Sequence, residues 1–151
     1  MAGLDRALAD LYVQRLARLT PDARPQWGKM NVPQLLGHLR IVVLYTMGQG
    51  PEMPFKGNFV TRNVFRHLIL MRMVAIPKNV PLPKPKGMKE MPQPPEGTVE
   101  QLREVLGQYL DRYEQRQLKP QMHPYFGTLS PGEWNKFHVS HFTHHLKQFG
   151  V

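Results

Sequence analysis

The chain has no cysteine among its 151 residues. Disulfides and thiolate ligands are therefore excluded, and a bound metal must be held by nitrogen or oxygen. A long apolar run is also lacking. The most apolar stretch, Val64 to Ile76, is shorter than the roughly 20 residues that cross a bilayer, and Arg66, His67 and Arg72 interrupt it. No transmembrane helix and no membrane partner are expected. The N-terminal MAGLDRALADLY carries charges in an amphipathic pattern, unlike a secretory signal. A cytoplasmic location is the expectation.

Acidic residues are the other scarcity. There are 11 of them against 20 Lys and Arg, a formal net charge of +9. From Met53 to Lys89 the chain has Lys56, Arg62, Arg66, Arg72, Lys78, Lys84, Lys86 and Lys89, and no Asp or Glu. Such a segment attracts nucleic acid, an anionic surface or an acidic small molecule, or it is simply a solvated positive face. Only Phe55, Phe59 and Phe65 are available there to stack on bases, so nucleic acid is the weaker partner.

What is present is helical periodicity. Leu4, Leu8, Leu11, Tyr12, Leu16 and Leu19 make one stripe. A second helix opens at Asn31, a good N-cap, with Pro33 in its first turn, and Gly48 to Pro51 stop it. A third opens at Thr98, where Thr98 and Gln101 match a capping box, and Pro120 bounds it. The fourth opens at Ser130-Pro131-Gly132-Glu133, another capping box, and runs to about Gln148 with Gly150 as C-cap. Between the second and third, about Asn58 to Ala75 reads as a further helix. Residues 76–97, rich in Pro and Lys, read as an extended strap. There is no repeat and no clear strand. The expected fold is all-α, one domain over residues 1–151, with four bundle helices and a long crossover.

Four of the seven histidines fall in HVSHFTHH on the last helix. Trp134, His138, His141, His145 and Gln148 form one row on it, and Phe142, Leu146 and Phe149 flank that row, so the imidazoles face the core. His144 lies near the margin. His141 and His145 stand one turn apart and can share a cation, although hydrogen-bonded core rings satisfy the same pattern. His138 is about 10 Å from His145 along the axis, so a third ligand must come from a facing helix. His38, beside Leu35 and Val42, is the only histidine on the second helix. His67 reads as solvated. His123 reads as part of a packed loop or as a polar group at the site mouth.

The segment His141-Phe142-Thr143-His144-His145-Leu146-Lys147-Gln148 resembles the H-x-x-H-H-x-x-Q pattern of the DinB/YfiT-like metalloenzyme superfamily. The tail from His123-Pro124-Tyr125-Phe126-Gly127 onward resembles a branch of unknown function with an HPFFG-type loop before the last helix. Trp27-Gly28-Lys29-Met30 and Leu35-Leu36-Gly37-His38-Leu39 are similar to that branch's early segment. The resemblance covers both ends and is weak across residues 51–120. It implies a DinB-like four-helix bundle and a divalent metal on His38, His141 and His145, the set that spacing also selects. His138, His144, Gln148 and His123 would stand beside the ligands or at the mouth; the catalytic residues are not identified.

The resemblance also implies a small-molecule enzyme that uses a low-molecular-weight thiol, as a transferase or isomerase. An open position on three histidines could also activate water, so a metal-dependent transferase or hydrolase is expected, and the basic segment favours an anionic substrate. Zinc or nickel is expected first, with manganese or iron as alternatives. The alternative function is a non-catalytic binding module that offers residues 53–89 to an acidic partner or nucleic acid. A homodimer stays open. Three ligands with ordinary histidine pKa values near 6.5 predict metal affinity that falls between pH 7 and 5.

Overall fold

The computed structural model describes residues 2–151. Helix α1 spans Arg6–Leu16, and its N-cap Asp5 accepts a hydrogen bond from the Leu8 N–H. Helix α2 spans Val32–Thr46. Asn31 and Gln34 close a reciprocal capping box at its start, with Pro33 in the first turn. A π-helical turn, Thr61–Phe65, continues into the short helix α3, Arg66–Leu70. Helix α4 spans Val99–Glu114 with the Thr98–Gln101 capping box formed. Helix α5 spans Pro131–Phe149. Ser130 and Glu133 cap its start, and Gly150 ends it in the left-handed conformation at φ 73°. Among the described residues there is no strand, only an isolated bridge between His123 and Gly127. Among the described residues, no helix is long and apolar enough to cross a membrane.

The elements are therefore all helical, and the long ones share one core. α2 packs on α4 and α5, and α1 packs on the same two. Leu35, Leu39 and Val43 from α2 meet Leu102 and Tyr109 from α4, all fully buried. Tyr12 of α1 stacks on Phe142 of α5 with centroids 5.3 Å apart. Removing a buried leucine from such a core costs about 2–5 kcal/mol. A second cluster forms where α3 lies on α5: Ile69 and Leu70 meet Phe126, Leu129, Trp134 and Phe137. Arg66 of α3 pairs with Glu133 of α5 across that contact.

Three differences from the periodicity are physical. α1 stops at Leu16 instead of Leu19, and Leu11, placed on its apolar stripe, is 40% exposed. The helix expected over residues 58–75 ends at Leu70, and Arg72 turns the chain at φ 56°. α4 ends at Glu114, and Arg116 turns at φ 58°.

Residues 77–98 carry no helix or strand. Their last turn docks on α2, where the Gly97 N–H donates to the Pro33 carbonyl at 2.8 Å. Gly37 permits this approach. A Cβ there would collide with the Pro95 carbonyl. The strap is thus pinned one residue from His38.

Candidate metal centre

α2 and α5 bring three imidazoles to one point. His38 Nε2 and His145 Nε2 each stand 3.1 Å from His141 Nε2. His38, His141 and His145 each offer a ring nitrogen within 4.8 Å of the others, so the group could hold a metal ion. His141 and His145 are buried and His38 is partly buried. The rings meet edge to face, His38 on His141 at 5.0 Å and His141 on His145 at 4.6 Å between centroids. Phe137 stacks on the other side of His141 at 5.4 Å.

Hydrogen bonds decide which nitrogen of His145 is bare. Gln148 Nε2 donates to the Trp27 carbonyl at 2.9 Å. Its Oε1 therefore faces His145 Nδ1, 2.7 Å away, and an amide oxygen only accepts. His145 thus carries its proton on Nδ1 and presents a lone pair on Nε2. The same loop tightens the end of α5 again, because the Gln26 N–H donates to the Gln148 carbonyl at 2.7 Å. Gly28, at φ 81°, makes room; a Cβ there would lie 2.9 Å from Gln148 Nε2.

Without a cation this arrangement leaves polar groups unmatched. His141 Nε2 faces two ring nitrogens but can donate to only one; buried His141 Nδ1 has no partner whether or not a cation sits at Nε2. Nitrogens 2.0–2.1 Å from a tetrahedral metal lie about 3.3 Å apart. Two of the three spacings, 3.1 Å each, are near that value, and all three nitrogens lie within 4.8 Å of one another. The residues present fit a small metal ion.

The rings are also kept neutral, as a ligand must be. Burial pushes His38 down to about 4, with His144 adding to the effect. Burial, and then His38, pushes His145 down to about 3, while the Gln148 hydrogen bond opposes the shift. Burial and the surrounding histidines hold His141 well below its ordinary value.

The remaining histidines do not join the three. His138 is fully buried and 3.1 Å from Thr46 Oγ1. That hydroxyl spends its proton on the Val43 carbonyl, so His138 Nε2–H is the donor and Nδ1 is left without a partner. His123 Nδ1 accepts from the Tyr125 and Phe126 N–H groups at 3.1 Å each, and the ring stacks on Phe126. It organises the turn before α5. His144 is half-buried and lies edge-on to His145 at 5.0 Å and to Trp27 at 5.4 Å. His67 is exposed on α3.

Periodicity could not reveal Trp27, Thr46 or Lys78 at this site. Trp27 acts through its carbonyl, and Lys78 Nζ sits 4.4 Å above the Trp27 ring. Both contacts join segments far apart in the chain.

Comparison with known proteins adds a family. No curated protein matches the chain, and no solved structure does. A family model described as "Protein of unknown function (DUF1569)" matches residues 3–150, nearly the whole chain, and the chain belongs to that family.

Proposed function

We propose that the protein is a DinB-like metal-dependent enzyme acting on a small molecule, a transferase or hydrolase, with one divalent ion on His38, His141 and His145. The observation that carries this is the convergence of three neutral imidazoles on one point, with the bare nitrogen of His145 fixed by Gln148. The fold reading that accompanies it is a four-helix bundle of α1, α2, α4 and α5. Residues 47–98 form its long crossover. Zinc and nickel suit an all-imidazole set best.

A metal held by three protein ligands supplies an open position and acidifies a water or thiol bound there. The chain's own groups prepare that position. Gln148 holds the His145 tautomer, Phe137 fixes the plane of His141, and burial keeps all three rings unprotonated. Elemental analysis of protein purified without a metal-affinity tag tests the reading. Stoichiometric zinc, nickel, manganese or iron supports it. Metal-free protein that also refuses added Zn²⁺ and Ni²⁺ sinks it.

A second reading, a binding module for an acidic partner, is favoured by one observation. Phe59 (78%) and Met73 (67%) are strongly exposed within the segment that has no acidic residue. Its nucleic-acid form requires binding that weakens steeply with salt, and a flat titration with DNA and RNA at low salt removes it.

A further inference from the structure

The proposed metal centre has no negative charge of its own. Among the described residues, no Asp or Glu forms a hydrogen bond to His38, His141 or His145. Among the described residues the converging group holds three histidines and no Asp or Glu. Three neutral imidazoles leave a bound dication with its full double positive charge. The histidines of many metal sites lean on a carboxylate behind the ring. Here His145 leans on an uncharged amide instead.

The chain adds a further cation. Lys78 follows α3, and its ammonium is held over the Trp27 ring. Trp27 lies edge-on to His144, which lies edge-on to the ligand ring of His145. The carbonyl of the same Trp27 anchors Gln148. One residue thus positions both a ligand's orienting amide and a cation at the edge of the site.

We propose that this site takes a small molecule with two anionic groups, one bound at the metal and the other held by the Lys78 ammonium beside Trp27. The proposal rests on the metal reading above. It narrows the substrate to one whose charge offsets that of the dication and of Lys78.

The test uses full-length protein loaded with Co²⁺, whose visible absorption bands respond to added carboxylates. The probes are succinate and butyrate, which share a four-carbon chain and a carboxylate head but differ in the distal group. Wild type should bind succinate about fivefold more tightly than butyrate, the scale of one partly exposed charge pair. The preference should shrink with added salt. Lys78→Ala should remove it, Lys78→Arg should keep most of it, and Lys89→Ala should leave it unchanged. Equal affinities in wild type, a preference that survives in Lys78→Ala, or the same loss in Lys89→Ala would overturn the assignment while the metal reading stands. Absence of any cobalt band in wild type would overturn both.

Discussion

A neutral imidazole carries one proton on one of two nitrogens, and only the bare nitrogen can bind a cation. In His145 that choice is made by Gln148, and in Gln148 it is made by the Trp27 carbonyl. Replacing Gln148 with Leu should therefore weaken metal affinity by about 10–100-fold while the three ligands stay in place, measured by competition with a chromophoric chelator. Single replacement of His38, His141 or His145 with Ala should abolish stoichiometric binding, and His67→Ala should change nothing. If His38→Ala binds as well as wild type while His138→Ala loses the metal, the third ligand has been misassigned. His138 is not among the three histidines whose ring nitrogens converge, and its Nε2 is committed to Thr46.

At the scale of the element, two mid-helix glycines make opposite predictions. Gly107 in α4 has open space where a Cβ would go, so Gly107→Ala should raise stability by about 0.5–1 kcal/mol through helix propensity alone. Gly37 in α2 has the same propensity cost, yet a Cβ there would strike the Pro95 carbonyl. Gly37→Ala should lower the melting temperature and make residues 77–98 easier to cleave with a protease. Equal stabilisation in both variants would mean that the strap does not rest on α2. Helix starts were legible because capping is local: Asn31, Thr98 and Ser130 each bond to a residue three positions on. The ends of α1 and α4 and the break at Arg72 were not, since no proline or glycine marks them.

At the scale of the whole molecule, pH acts through buried histidines. In the unfolded chain they titrate near 6.5. In the fold His38 is held down at about 4 and His123, His138 and His145 at about 3, chiefly by burial. The unfolded state therefore binds more protons below pH 6.5. Stability is complete above that value and declines as pH falls toward 4, by up to about 1.4 kcal/mol per pH unit for each ring. Urea midpoints of chelator-treated protein should fall steeply from pH 6.5 to 4; a flat profile from 7 to 5 would contradict the burial. The same shifts move proton competition for the metal. Ordinary pKa values predict affinity lost between pH 7 and 5, whereas rings held near 3 to 4 should keep it to about pH 5 and lose it below. The gap in melting temperature between metal-loaded and chelated protein should accordingly persist at pH 5.

The amino-acid order alone determined where the helices begin and which face of the last one turns inward. Spacings of three and four residues are repeated by every turn of an α-helix, so Trp134, His138, His141, His145 and Gln148 had to share a side, and all five are buried. It also supplied the pairing of His141 with His145. Tertiary structure alone decided the rest of the centre. It set how close His38 of α2 comes to α5, that the Trp27 carbonyl orients the Gln148 amide and so leaves His145 Nε2 bare, and that Lys78 rests over Trp27. These contacts span up to 121 positions in the chain. No local period encodes them, because they depend on how α2, α5 and the connecting segments pack against a common core.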